Sequence, residues 1–407
     1  MKNWQRKKIK EVVPDLHQGL NTAGYKIKFY DEGYPIIQTR NLENGVIDLD
    51  EKMKFMSKQD WETYKDKYKP KVGDVFLTNI GTIGKTAVVT EEKDYLIHWN
   101  IFIFKLDKNI LDPFYLKSFL DTPFCFDYYK SFQKGGTVNF ITKKMIENLE
   151  IPLPPLPEQQ RIVSILDEAF TAIAKAKANA EQNLQNAKEL FESYLQGMFE
   201  KKGDGCEEKK LGDVLVKTET VDPTKNPNTE FTYLDVSSVN KETKEIETPT
   251  VLLGKDAPSR AKKLIRTGDV IFATVRPTHS RVALIPEEFD EQVCSTGYFV
   301  LRTKESVNNK LVFYFLLTKG FNEQMEKLQK GASYPAVTDN DVKSILFSFP
   351  KSLNEQQTIV RQLDALRAET QKLEAVYQKK IEDLEELKKS ILQKAFAGEL
   401  KTSQEVV

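Results

Sequence analysis

Two hydrophobic rhythms alternate along the chain. Short runs rich in aromatic and β-branched residues read as strands: Val75–Leu77, Thr86–Val89, Ile101–Leu106, Val270–Ala273, Val282–Ile285 and Tyr298–Arg302. Two long stretches instead place apolar residues at alternating steps of three and four, the signature of amphipathic helices. In the second stretch the seam runs Leu363, Leu366, Thr370, Leu373, Tyr377, Lys380, Leu384, Leu387, Ile391. Moving that frame back 197 positions gives Leu166, Ala169, Ile173, Ala176, Ala180, Asn183, Ala187, Leu190, Tyr194, the same seam thinned to alanine. Bulky residues facing small ones let two rods pack closely, so Leu166, Ile173 and Leu190 are expected to pair with the large residues of the second seam. At 1.5 Å per residue each rod spans roughly 60–70 Å.

The offset is general. Gly73-Asp74-Val75 returns as Gly268-Asp269-Val270, Gln133-Lys134-Gly135 as Gln329-Lys330-Gly331, and Glu158-Gln159-Gln160 as Glu355-Gln356-Gln357. Three collinear anchors at nearly constant spacing mark a duplicated domain pair, the period being far longer than that of a solenoid. Each half holds a globular head and a rod. The boundaries are 1–157 for the first head, 158–205 for the central rod, 206–354 for the second head and 355–407 for the C-terminal rod. Each head carries one long helix, opened by Asp112-Pro113 or by Asn308/Asn309 and running over Phe114–Phe132 and Leu311–Leu328. Thr142 and Thr338 each start a short helix before a last strand, and prolines at Pro154, Pro155 and Pro157 end that strand in the first half. Lys201–Lys210 reads as a polar connecting turn. The expected class is α+β: two mixed α/β heads separated by two long antiparallel coiled-coil helices in a pseudo-two-fold repeat.

Composition narrows the partners. Lys+Arg and Asp+Glu both count 60, so the net charge is zero and bulk attraction to phosphates is not available. The three cysteines (Cys125, Cys206, Cys294) are too scattered for a disulfide framework or a cysteine-rich zinc site, which suits a reducing, cytoplasmic setting. No apolar run approaches the roughly 20 residues that cross a bilayer, so no membrane association is expected.

Two unlike heads held apart by a rigid helix pair amount to a ruler. If the helices run antiparallel, the halves acquire a pseudo-dyad that matches the local dyad of DNA, and head separation becomes half-site spacing. With that architecture in view, the whole chain resembles the specificity subunits of type I restriction-modification systems. The resemblance is carried by Ile151-Pro152-Leu153-Pro154-Pro155-Leu156-Pro157-Glu158-Gln159-Gln160-Arg161-Ile162-Val163 and its echo Asn354-Glu355-Gln356-Gln357-Thr358-Ile359-Val360. It is carried also by the closing stretch 387–400, by Gly73-Asp74-Val75 with Gly81, Gly84 and Lys85, and by Gly268-Asp269-Val270 with Arg276-Pro277. The second junction, Pro350-Lys351-Ser352-Leu353, departs from the proline-rich form. The resemblance implies two target-recognition domains, no catalysis within the chain, and double-stranded DNA as the ligand. It further implies two methyltransferase subunits as partners and, through them, motor-nuclease subunits. S-adenosylmethionine, ATP and magnesium would belong to those partners, and no cofactor to this chain.

Three sets of residues are candidates for touching DNA. In the hairpin after the first Gly-Asp-Val strand, Thr78, Asn79, Thr82 and Lys85 offer donors between two glycines; the corresponding place in the second head holds Thr274, Arg276, His279 and Arg281. Arginine is the usual partner of guanine O6 and N7. After each head's helix come Gln133, Lys134 and Thr137, and Lys330, Ser333 and Tyr334; the glycines beside them equally suit a helix C-cap. The third set is Arg40 and Asn41 with Asp235 and Ser237, where a polar strand-end turn is the plainer reading.

No catalytic constellation emerges. Asn79–Thr86 nearly spells a phosphate loop, but Asn79 stands where the first glycine is needed and a strand follows instead of a helix. Leu153-Pro154-Pro155-Leu156 lacks the amide and the aromatic of an adenine methyltransferase motif. His17, His98 and His279 are isolated, and no metal site is expected. The alternative to DNA reading is a coiled-coil scaffold that binds only protein.

Overall fold

The computed structural model describes residues 4–43, 45–49, 52–131, 140–200 and 205–400. Two mixed α/β domains alternate along the sequence with two long helices, Leu156–Glu200 and Leu353–Phe396. The chain divides into two compact units, Met1–Ala180 with Lys379–Val407 and Glu181–Gln378, so that each unit holds one head and a stretch of both long helices.

In the first unit the central sheet has the order Asp15–Gln18, Ile101–Lys105, Val75–Thr78, Thr86–Val88, antiparallel throughout. A second sheet joins Lys54–Met56, Tyr34–Ile37 and Leu96–Ile97, the last pair parallel. The second unit repeats the plan: Val282–Leu284, Val270–Ala273 and Tyr298–Leu301 form one antiparallel sheet. Its other sheet has the order Thr250–Leu253, Glu230–Leu234, Val293–Ser295, Ala261–Leu264, again with one parallel pair.

The Gly-Asp-Val repeat has a structural cause. Gly73 and Gly268 sit at φ of +94° and +84°, where a side chain would be strained. The following aspartate closes the turn: Asp74 accepts from the Lys71 N–H and Asp269 from the Arg266 N–H, both at 2.9 Å. Each then reaches the neighbouring strand, Asp74 to Lys105 at 3.2 Å and Asp269 to Arg302 through two bonds of 2.8 Å.

The single helix expected in each head is in fact two. Pro113–Leu120 is followed by Pro123–Ser131, and Asn309–Leu316 by Lys319–Leu328. A threonine makes the break both times. Thr122 and Thr318 each donate the hydroxyl to a carbonyl three residues back, Phe119 or Phe315, at 2.7 Å. Each hydroxyl also accepts the first free N–H of the next helix, from Cys125 or Phe321. The polar turn expected over 201–210 is likewise corrected: Cys206–Lys210 is a strand, antiparallel to Leu346–Pro350. It repeats the pairing of Arg6–Lys8 with Glu150–Pro152, and its charged, largely solvent-facing side chains hid it from a hydrophobic pattern.

The long helices run antiparallel to one another within each unit. In the first, Phe170 lies under the Lys388 ammonium at 5.2 Å and Lys177 meets Glu385 at 2.5 Å, so numbers rise on one helix as they fall on the other. In the second, Tyr194 Oη lies 3.5 Å from Gln362 Oε1, and Leu195 packs in one cluster with Val360 and Leu363. One track of the expected seam faces inward: Leu166, Ile173 and Leu363 are buried, and Leu384 and Ile391 half-buried. The other track is shared between the expected positions and those one residue later: Ala169, Ala176 and Leu366 are half-buried, as are Phe170, Leu184, Phe191, Arg367, Glu374 and Ile381, and Ala395 is buried. Leu190, Leu373 and Leu387 are exposed, Leu373 by 42%. Steps of four-then-three satisfy a heptad as well as three-then-four. The frame adopted lets long charged side chains cover aromatic rings, as Lys388 does Phe170 and Arg367 does Phe313.

Candidate nucleic-acid interface

Two polar segments of the second head meet at Gly297, and a further loop leans against one of them. Thr274 at the end of its strand donates both its N–H (2.8 Å) and its hydroxyl (3.0 Å) to the Gly297 carbonyl. The short 3-10 turn Val236–Ser238 packs on the same glycine, where an added Cβ would meet Val236 at 2.7 Å. The Tyr298 hydroxyl bonds the Asp235 and Val236 carbonyls at 3.1 Å each. From Thr274 the chain enters a strained loop, with Arg276 and Ser280 both left-handed at φ +49° and +48°. A second loop, closed by reciprocal 2.9 Å bonds between Lys330 and Ala336, leans against it. Val275 bridges Ala336, and the Arg276 N–H donates to Pro335 O at 2.7 Å. The Arg276 guanidinium sits 5.3 Å from the centre of the Tyr334 ring, a cation–π stack on a ring that is 72% exposed.

Arg276, His279, Lys330, Ser333 and Tyr334 are thus exposed on two interlocked loops, with Asp235 and Ser237 exposed on the turn packed at their base. Two of the expected contact residues are not free to leave the fold. Thr274 is buried with its hydroxyl committed, and Arg281 turns inward to bond the Val239 carbonyl.

The first head reuses the frame. Asn79 takes the place of Thr274: its N–H donates to Asn100 O at 3.0 Å and its carbonyl accepts from the Ile141 N–H at 2.9 Å. The 78–85 segment is a tight hairpin. Thr78 donates to Thr82 O at 2.6 Å and accepts from the Lys85 N–H at 2.9 Å, so its hydroxyl is spent inside the turn. Gly84 is required there, since a Cβ would fall 2.5 Å from the Phe126 ring. A strand follows directly, which disposes of the phosphate-loop likeness. Thr82 is exposed, and Lys85 is half-buried and pairs with Glu43 at 2.5 Å.

Asn79 is only 1% exposed, and among the described residues both atoms of its amide find no hydrogen-bond partner, nor does Asn100 Oδ1. Buried amides are rarely left so. Asn41 is also buried: it accepts from the Gln38 N–H at 3.0 Å and donates to Met53 Sδ, shaping the 3-10 turn Thr39–Asn41. Its neighbour Arg40 is exposed and donates to Gln38 Oε1 at 3.1 Å. Gln133, Lys134 and Thr137 lie outside the described residues.

Sequence reasoning missed the middle glutamine of each Glu-Gln-Gln triplet. Gln159 and Gln356 are both fully buried. Gln159 accepts from the Asp112 N–H and donates to Ile110 O and Pro154 O, all at 2.9 Å. Gln356 accepts from the Asn308 N–H at 2.8 Å and donates to Ser306 O and Pro350 O. The repeat of the triplet was the signal; its flanking glutamines, Gln160 and Gln357, stay exposed.

Burial pushes the thiols of Cys125 and Cys294 up to about 12, so neither is a ready nucleophile. Burial lowers His98 below its usual value, and its Nε2 lies 3.1 Å from the Thr22 hydroxyl. Among the described residues no group of three or more His, Cys, Asp or Glu could hold a metal ion, and no helix is long and apolar enough to cross a membrane.

The type I restriction modification DNA specificity domain matches the chain twice, over residues 1–183 and 203–383. Full-length relatives include the putative type I restriction enzyme MjaX specificity subunit of Methanocaldococcus jannaschii, 25% identical over 98% of this chain and 94% of its own. The EcoKI specificity subunit of Escherichia coli is 23% identical over 91% and 83%. Among solved structures, a chain from a study of assembly and conformational transition of the type I R-M system superposes with a TM-score of 0.78, 17% identity and 98% and 99% coverage. The HsdS subunit of Thermoanaerobacter tengcongensis gives 0.61, at 18% identity and 98% of both chains. Two matched domains over nearly the whole length place the chain in the family of type I restriction-modification DNA specificity subunits.

Proposed function

We propose that each head reads one half of a bipartite DNA target, and that the two long helices fix the spacing between the halves. The observation that carries this reading is the pair of interlocked loops in the second head. There Arg276 is held by its own backbone and by the Tyr334 ring, exposed and preorganised for a base edge. The framework beneath is shared between heads while the loops differ, Thr78–Lys85 against Thr274–Arg281, as two different half-sites require. The helices would also dock two methyltransferase subunits and, through them, the motor-nuclease subunits. Exposed Leu190, Leu373, Val376 and Leu387 supply apolar surface for such docking. The chain itself would do no chemistry; adenine methylation and ATP-dependent cleavage, with S-adenosylmethionine, ATP and magnesium, would belong to the partners, in the cytoplasm.

Methylome sequencing of the host with and without the gene tests the reading. A split adenine-methylated motif should vanish on deletion, and a methylome that stays intact refutes it. Exchanging residues 206–354 for another second head should then change one half of the motif and leave the other; both halves changing together would refute independent heads.

A further inference from the structure

The loop that carries Arg276 is strained at both ends, since Arg276 and Ser280 are left-handed. Such a conformation persists only where its surroundings fix it. Its N-terminal end is fixed by the Arg276 N–H on Pro335 O at 2.7 Å. Its C-terminal end is fixed by a different piece of chain, the turn from Val239 to Ile246. The Lys244 ammonium donates to Ser280 O at 2.8 Å, and the Arg281 guanidinium donates to Val239 O. The Ser280 hydroxyl adds a bond to Asn322 Oδ1 at 3.3 Å. The turn is built as a firm support. Val239 is fully buried in the head's core and bridges Ile246. Asn240 Oδ1 accepts the Glu242 and Thr243 N–H groups, while the Asn240 amide and the Thr243 hydroxyl donate to Glu247 at 2.8 and 2.9 Å. From the long helix, Arg367 donates to Thr243 O at 2.7 Å.

The first head repeats the device. Lys85 stands 196 positions before Arg281 and likewise turns back onto the protein, to Glu43 at 2.5 Å. Glu43 lies on the two-stranded ladder of Leu42–Glu43 with Val46–Ile47, in the place that the Val239–Ile246 bridge takes in the second head. Each loop therefore ends in a cation directed at its own head, with a different acceptor in each. We infer that Lys244 and Arg281, and Lys85 in the first head, are positioning residues: they lock each loop onto a neighbouring turn, so that the side chains at its tip meet a base edge from one fixed direction. The inference rests on the DNA-reading function proposed above. A cation spent on an acceptor of its own chain supplies a charge-assisted bond of defined direction. Direction is what base reading needs, because base edges differ in the placement of their donors and acceptors.

Methylome sequencing of strains carrying single substitutions in the full chain tests this. Arg276→Ala first marks the base position that its loop reads. Lys244→Met and Arg281→Met should relax that same position, raising methylation of sites that differ there by up to about tenfold, and leave the other half of the motif sharp. Arg281→Lys, which keeps a donor, should recover most of the selectivity. In the first head Lys85→Glu should relax the opposite half, and Lys85→Glu combined with Glu43→Lys should restore it, because the exchanged pair re-forms the tie. Thermal melts of the purified chains separate an unfolded variant from a relaxed one. Folded Met variants that keep the wild-type motif overturn the inference. So does methylation that falls evenly at all sites, the mark of a lost phosphate contact. If the Met variants do not fold, the exchange decides alone: a double variant no sharper than Lys85→Glu overturns the inference. A methylome left intact by deletion of the gene overturns the reading function itself, and the positioning role with it.

Discussion

The side-chain oxygen of Gln356, at the start of the second long helix, accepts the backbone N–H of Asn308 at 2.8 Å, at the start of the head's own helix. Asn308 in turn caps that helix by accepting from the Lys310 N–H at 2.9 Å. One buried amide therefore ties the entry of the long helix to the entry of the head's helix and, through Pro350, to the last strand. Gln356→Ala would remove the shared partner of two carbonyls and one N–H at partly buried positions, at a cost of roughly 2–4 kcal/mol. Gln357→Ala, one residue on and exposed, should stay within about 0.5 kcal/mol. Urea unfolding of the two variants checks the contrast; equal midpoints would mean that the amide is not the tie.

The long helices offer a second contrast. Leu363 is fully buried, whereas Leu373 and Leu387 are exposed by 42% and 47%. Leu363→Ala should cost about 2–5 kcal/mol, and Leu373→Ala or Leu387→Ala in the isolated chain less than about 0.5 kcal/mol. Thermal unfolding separates the frames: comparable losses at Leu363 and Leu373 would restore the seam read from leucine spacing alone.

What the sequence made legible is what duplication and hydrophobic rhythm record. The Gly-Asp-Val strands, the Thr142 and Thr338 caps and both long helices were readable because each appears twice with its periodicity intact. The break at Thr122 and Thr318 was not, because a threonine hydroxyl serves two helices without interrupting the apolar pattern. The strand Cys206–Lys210 was hidden by its charges. The candidate site was only partly legible for a different reason. Polar residues in a loop look alike in sequence whether they face water or the fold's own carbonyls; Thr78, Asn41, Thr274 and Arg281 face inward, and Arg276 and Tyr334 do not.

The contact between Lys177 and Glu385 gives a pH-dependent prediction. The hydrogen bond from Lys177 holds the Glu385 carboxyl below its ordinary value. A depressed carboxylate contributes stability above its unfolded pKa, near 4.3, and loses it as the pH falls through the lower folded value. Both side chains are partly exposed, so the coupling is about 0.2–1 kcal/mol. A double-mutant cycle of Lys177→Ala and Glu385→Ala at neutral pH should recover that value, and the same cycle in acid should approach zero. Coupling that persists in acid would point to packing of the alkyl stems instead of charge.

Arg276 and Lys330 sit on adjoining loops and should fail differently. Arg276 is fixed from two sides, by its N–H on Pro335 O and by its guanidinium over Tyr334, so its direction is set before any ligand arrives. Preorganisation of that kind is what a base edge exploits, and Arg276→Ala should cost about 1–3 kcal/mol at one base position and relax the methylated motif there alone. Tyr334→Ala, which removes the platform and keeps the charge, should produce a weaker form of the same relaxation. Among the described residues Lys330 is held only by its backbone bridge to Ala336. Its substitution by alanine should weaken binding evenly across sequences and reduce the salt slope by about 1. Motif analysis of the methylomes of the three variants reads out the difference, and a uniform loss for Arg276→Ala would reassign that side chain to a phosphate.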